Sequence, residues 1–186
     1  MKSESKKSLI IVAGGNGVGK TTFAKQFLLE NEDYIFLNAD EIAKETNSSK
    51  ISAGKIFFER LNKAINKEKA LLIESTLSGR YLIRFIEVLR EKNYEVVIIF
   101  LFADSPEILI ERIKIRVQKG GHFVPNEDVK RRFKRGKANF WTIYKNLADS
   151  WSLVYNSEGR FFETAIAEDS EINIVDDNLF QKFLSI

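Results

Sequence analysis

Residues 14 to 21 read Gly14-Gly15-Asn16-Gly17-Val18-Gly19-Lys20-Thr21, which fits G-x-x-x-x-G-K-[ST] at every fixed position. Glycines at this spacing let successive backbone N–H groups turn inward around an anion. A helix behind them adds unpaired N-terminal donors and the positive end of its dipole. In this pattern the lysine, Lys20, reaches the β- and γ-phosphates, and the hydroxyl of Thr21 ligates Mg²⁺. Thr22 follows, placed either to cap or to contact an α-phosphate. The dinucleotide fingerprint competes for the same stretch, because Asp40 stands near the spacing of a ribose-binding acid. It needs a third glycine where Lys20 stands, so it fails. The chemistry is the binding of a nucleoside triphosphate.

Such a loop works only between a strand and a helix. The apolar run Leu9-Ile10-Ile11-Val12 precedes it, and Thr22-Phe23-Ala24-Lys25-Gln26-Phe27-Leu28 follows. Five β-prone runs, at 9–13, 34–37, 70–74, 94–102 and 151–155, alternate with helical patterns. Leu82, Phe85, Ile86 and Leu89 recur at helical spacing, as do Phe57, Leu61 and Ile65. Val129, Phe133, Phe140, Tyr144 and Leu147 mark one side of a long helix starting near Pro125. This alternation predicts a parallel sheet covered on both faces. The segments 161–167 and 172–175 read as a terminal strand pair, and 179–184 as a short closing helix. With no repeat, linker or composition break, residues 1–186 form a single domain, with 1–7 as a flexible basic N-terminal tail.

In such sheets the ligand lies beyond the carboxyl ends of the strands. That rule selects Asn38 and Asp40, then Glu74, Ser75 and Thr76, then Asp104, and finally Asn156. Asp104 resembles a Walker B acid, but Ser105-Pro106-Glu107 behind it is a helix start, which favours a structural role. Asp40 either caps a helix beginning at Glu41 or serves as the carboxylate that accepts a hydroxyl proton in phosphoryl transfer.

Charge is unevenly placed. Ten Lys/Arg between Arg112 and Lys137 face only Glu127 and Asp128, so that segment carries +8 and the rest −5. Arg112 and Arg116 share a helix face. Lys119-Gly120-Gly121-His122 reads as a hinge, so the segment is expected to be a closing lid over phosphates, with His122 shaping the hinge. Absent cysteines exclude disulfides and thiolate metal sites, and the single His122 excludes a multi-histidine centre. No stretch approaches the ~20 apolar residues of a membrane span. The expectation is a cytoplasmic protein that binds no membrane.

These features occur together with Phe-Leu-Asn-Ala-Asp at 36–40, Ile-Glu-Ser-Thr-Leu-Ser-Gly-Arg at 73–80, Arg-Val-x-x-Gly-Gly-His at 116–122 and Ala-Asp-Ser-Trp at 148–151. In this order they resemble the zeta-toxin-like P-loop kinases, in particular a small bacterial predicted-ATPase branch, over about residues 9–156. The resemblance implies a three-layer α/β P-loop kinase fold with a five-stranded parallel sheet of order 2-3-1-4-5 and a basic helical lid. It implies ATP and Mg²⁺ as cofactors, a UDP-N-acetyl amino sugar hydroxyl as acceptor, and a small antitoxin as partner. It further implies that Gly14 to Thr22 hold the nucleotide and Thr21 the metal, with Lys20, Asp40 as base and Arg112 on the transferred phosphate as the catalytic set. Arg116, with Arg131 or Arg132, would assist. Glu74 orients substrate or metal water. Beside the resemblance, Asn38 past its strand end and Thr76, Ser78 and Arg80 in the 74–80 loop are the candidate acceptor contacts. The last three read alternatively as a turn and helix start, with Ser78 as cap. Zeta toxins have a shorter Glu-Gly-Thr-Gly-Arg turn where this chain has Glu74 to Arg80, so its acceptor loop is its own. Two other readings compete. One is a polynucleotide or nucleoside kinase, drawn from the basic segment with Phe133, Phe140 and Trp141, although those aromatics fall on or beside the apolar stripe. The other is a slow ATPase switch acting through a partner.

Overall fold

The computed structural model describes residues 7–169 and 171–186; the expected basic tail lies, apart from Lys7, outside the described residues. The first apolar run forms β1 (Ser8–Gly14), buried along its whole length. A strand covered on both faces has no polar side to show, which is why its sequence is continuous rather than alternating. On one flank β1 pairs with β3 (Leu71–Ser75), which pairs with β2 (Ile35–Leu37). On the other it pairs with β4 (Glu95–Phe102), and β4 with β5 (Ser150–Tyr155). These five strands are parallel and run in the order 2-3-1-4-5.

The sheet then continues. β6 (Phe162–Glu168) pairs antiparallel with β5, and β7 (Glu171–Ile174) with β6, making seven strands in a mixed sheet. The expected five-stranded parallel sheet is therefore the core of a larger one. Its terminal pair hydrogen-bonds onto β5, which would otherwise be an open edge.

Helices cover both faces. One core gathers Phe57 and Leu61 of α3 (Lys50–Asn66), Leu82 and Ile86 of α4 (Tyr81–Glu91), and Phe180 and Phe183 of α7 (Asp177–Ser185). Ile42 of α2 (Ala39–Glu45) joins it. The opposite core gathers Ala24 of α1 (Lys20–Glu30) with Leu109, Ile110 and Ile113 of α5 (Pro106–Gln118). α6 (Asn126–Thr142) gives Val129 to the second core and Phe140 to the first. It therefore crosses from one layer to the other. Phe133 packs over Gly15 after β1, and Gly136 over Thr76 after β3, so the crossing passes over the carboxyl ends of the strands.

The apolar stripe through Tyr144 and Leu147 had predicted a longer α6. The helix ends at Thr142, and Tyr144–Asn146 forms a separate 3-10 turn. That break lets buried Tyr144 donate its hydroxyl to the Gly79 carbonyl at 2.7 Å. Phe140 stacks on Phe100 with ring centroids 4.5 Å apart and is fully buried. Trp141 lies against Trp151, Phe180 and Phe183. Phe140 and Trp141 thus belong to the core and Phe133 is half-buried, so these three aromatics form no exposed stacking platform; Phe123 is exposed in the basic segment. Among the described residues no helix is long and apolar enough to cross a membrane.

Candidate active site

The phosphate loop leaves β1 at Gly14 with φ +132°, and passes Gly17 and Gly19 at +87° and +102°. L side chains rarely adopt these angles, and space forbids them as well. A Cβ on Gly14 would stand 2.3 Å from the Leu101 carbonyl oxygen, and one on Gly17 2.7 Å from that of Leu109. Gly19 occupies the N-cap of α1, so no side chain competes there for the first-turn donors. Lys20 lies back across the loop, its Nζ donating to the Gly14 and Gly15 carbonyls at 3.0 Å each. Burial brings its ammonium down to about 8; Glu74 and Asp40 pull the other way, while Arg116 and Arg132 push further down.

Behind the loop, the Thr21 hydroxyl donates to Glu74 Oε2 at 3.1 Å. The other carboxylate oxygen, Oε1, is buried and without a hydrogen-bond partner among the described residues. Burial raises the Glu74 pKa, opposed by the charge of Lys20 and the Thr21 bond. A hydroxyl and an unmatched carboxylate oxygen beside a phosphate cradle suit Mg²⁺, which takes one or two protein oxygens and completes its shell with phosphates and water. No cluster of three or more His, Asp or Glu offers a full protein cage among the described residues.

Asp40 is freed for chemistry by its neighbour. Asn38, itself buried, is the N-cap of α2, and its Oδ1 accepts from the Asp40 and Glu41 backbone N–H groups at 2.8 and 3.3 Å. The expected choice between cap and base for Asp40 is thus simplified: the cap is Asn38, and the Asp40 side chain is exposed to the cleft. Asn38, expected as an acceptor contact, uses its oxygen to fix the helix start.

The cleft has a volume of about 690 Å³, in the range of small-molecule sites. Asn16, Lys20, Thr21 and Thr22 line it, together with Asp40, Glu74 and Thr76 and with Arg112, Arg116 and Arg132. Of the three acceptor-loop candidates the lining includes Thr76 alone. Ser78 pairs its hydroxyl with that of Thr76 at 2.8 Å, and Arg80 is exposed at the N-cap of α4. Lys25, Lys44 and Tyr81 also line the cleft. Nothing in their sequence context singled them out.

The basic segment is broken where the sequence expects it. Its glycine pair ends α5. Gly120, at φ +80°, donates to the Val117 carbonyl and Gly121 to that of Arg116, both at 2.9 Å, the paired bonds of a Schellman motif. The helices on either side are docked through buried Leu109 and Ile113 of α5 and Val129 of α6, with buried Val124 between them, and the segment lines one side of the cleft. Arg112 is employed otherwise than predicted. Its two terminal nitrogens donate to the Asn156 and Ser157 carbonyls at 2.8 Å each, tying the strand-end loop to α5. Arg116 and Arg132 are the arginines whose charge Lys20 feels. Arg132 also donates to Asn16 Oδ1 in the phosphate loop at 3.1 Å. Arg131 pairs with Asp128 at 2.8 Å.

Asp104 is structural as expected, held by Lys182 at 2.9 Å and by the Tyr155 hydroxyl at 2.8 Å. Asn156, which the strand-end rule selected without a role, is buried against the loop. Its Nδ2 donates to the Val18 carbonyl at 2.8 Å, while Oδ1 is buried and unpartnered among the described residues.

A family model described as Zeta toxin matches residues 1–166. The chain belongs to the Zeta toxin family. A curated relative, an uncharacterized protein of Haemophilus influenzae, is 33% identical over 131 residues, 67% of this chain and 91% of its own length. Among solved structures, a chain from the PezAT chromosomal toxin–antitoxin system of Streptococcus pneumoniae superposes with a TM-score of 0.67 at 18% identity. That match covers 100% of this chain and 81% of the other. The AvrRxo1-ORF1:-ORF2 complex with ATP gives 0.72 at 16% identity, covering 97% of this chain and 64% of the other. At such identities the shared property is the fold, that of the P-loop kinases. The zeta-toxin fold in this member thus carries its phosphate loop, Asp40, Glu74 and three arginines around one cleft.

Proposed function

We propose that the protein is an Mg²⁺- and ATP-dependent phosphotransferase that moves the γ-phosphoryl group to a hydroxyl of a small molecule, with a UDP-N-acetyl amino sugar as first candidate. The observation carrying this reading is Asp40: an exposed carboxylate held at the start of α2 by Asn38, in the same cleft as Lys20. A phosphate loop alone serves many reactions. A second carboxylate, free of structural duty and close enough for Lys20 to feel it, suits a base.

The loop backbone and the α1 N-terminus receive the β- and γ-phosphates, and Lys20 turns from the Gly14 and Gly15 carbonyls to meet them. The Thr21 hydroxyl and Glu74 would hold Mg²⁺, which when bound would neutralise charge on the phosphate oxygens. Asp40 takes the acceptor's hydroxyl proton as its oxygen bonds to the γ-phosphorus and the bond to the bridging oxygen breaks, leaving ADP. Arg116 and Arg132 balance charge on the transferring group. Arg112 acts one step back, holding the 156–157 loop.

Membership of the Zeta toxin family favours a small antitoxin protein as partner. The test is transfer of label from γ-labelled Mg-ATP to a panel of UDP-N-acetyl sugars, nucleosides and short oligonucleotides. Label on a UDP-sugar supports the full reading. Label on a nucleoside or oligonucleotide keeps the kinase and replaces its acceptor, and label only on free phosphate overturns the transferase.

A further inference from the structure

One face of α6 touches both halves of the cleft. At its near end Arg132 bonds Asn16 of the phosphate loop, and Phe133 lies against Gly15. One turn on, Gly136 meets the loop after β3 so closely that a Cβ there would stand 2.3 Å from the Thr76 carbonyl oxygen. A turn later still, Asn139 Nδ2 donates to the Leu77 carbonyl at 2.8 Å. Tyr144, just past the helix, holds the Gly79 carbonyl. Positions 132, 136 and 139 are spaced to fall on one helix face, and the span from 132 to 139 is about 10 Å at helical rise.

The loop so held is strained. Leu77 is fully buried and sits at φ +50°, a left-handed conformation uncommon for a non-glycine residue. Ser75 supports it by accepting the Leu77 N–H at 3.0 Å. A buried side chain in that conformation persists only where surroundings over-determine it. Here the surroundings are α6.

We infer that α6 is a strut that sets the distance between the phosphate-donor loop and the acceptor loop, with Gly136 and Asn139 as positioning residues for transfer. The inference rests on the kinase reading for its catalytic consequence, but not for its structural one. In-line transfer requires reacting atoms about 3–3.5 Å apart, and a displacement of about 1 Å costs roughly 100-fold. The Gly136–Thr76 contact allows no such slack. Any side chain at 136 moves the Thr76 carbonyl, and with it the acceptor loop.

The test compares wild type with Gly136→Ala and Asn139→Ala. It combines amide exchange with transfer from Mg-ATP to a UDP-N-acetyl amino sugar and with hydrolysis to water. Gly136→Ala is expected to speed exchange across 75–80 at least ~10-fold while the phosphate loop keeps its protection. It should lower kcat for transfer about 100-fold, with the ATP KM and the rate of hydrolysis within about twofold. Asn139→Ala, which removes a bond and adds no atoms, should give the same split at about 10-fold. Unchanged exchange at 75–80 in both variants, or transfer and ATP affinity falling together in both, overturns the strut. Wild type that transfers nothing to the sugar counts against that acceptor, and exchange then decides the strut alone.

Discussion

The phosphate loop and the 75–80 loop leave neighbouring parallel strands, β1 and β3, at the same end of the sheet, yet they are built by different means. The first takes its shape mainly from its own backbone, glycines at φ +132°, +87° and +102°, with Asn156 and Arg132 bonding it from outside. The second takes its shape from elsewhere, through a left-handed leucine whose neighbouring carbonyls are bonded by Asn139 and Tyr144 and pressed by Gly136. A phosphate is the same in every nucleotide, so a loop shaped mainly by its glycines suffices. An acceptor is particular, and its loop borrows rigidity from a helix distant in sequence.

If that contrast is right, the sharpest damage comes from giving the glycine-shaped loop a side chain. Gly14→Ala places a Cβ 2.3 Å from a backbone oxygen at a φ that alanine avoids. Calorimetric affinity for Mg-ATP should fall at least ~10³-fold while far-ultraviolet circular dichroism is kept. The basic segment is the next point of attack. Arg116→Ala and Arg132→Ala should each lower kcat for transfer about 100-fold, whereas Arg112→Ala, whose wild-type bonds go to the Asn156 and Ser157 carbonyls, should lower it ~10-fold or less. A steeper loss at Arg112 than at the other two would restore it to the transferred phosphate.

The smallest effect is a titration. Lys20 is charged below its pKa of about 8 and neutral above it, and phosphates need the charged form. Affinity for Mg-ATP should therefore be full at about pH 7 and fall up to roughly tenfold per unit as pH rises past about 8. Lys20→Met should bind more weakly with a flat profile. A wild-type profile flat from about pH 7 to 10 would contradict the burial argument.

Much of this was legible in the sequence, because it depends on local pattern. Each parallel strand was a continuous apolar run, and the order 2-3-1-4-5 followed from the resemblance to zeta toxins. Asp40 and Glu74 were found because ligands lie past strand ends. What escaped depends on distant partners. The 161–167 and 172–175 runs read as strands, but only the edge of β5 decides that they extend the sheet. Gly120-Gly121 was legible as a helix break, but its bonds to the Val117 and Arg116 carbonyls were not. Gly136 is one glycine inside a helical pattern, and its meaning is a carbonyl sixty residues away in sequence. Arg112 and Arg132 look alike in the sequence. Folding sends one to main-chain carbonyls and the other to the phosphate loop.

The account stands or falls on Asp40. The decisive measurement is single-turnover transfer of γ-label from Mg-ATP to acceptor by Asp40→Asn, with ATP affinity measured on the same protein. Asparagine keeps the shape of the side chain and removes its basicity, so affinity should hold within about twofold while the transfer rate falls by ~10²–10⁴. Transfer at the wild-type rate in that variant would show that the hydroxyl proton goes elsewhere, and that the cleft is not the base-assisted kinase site described above.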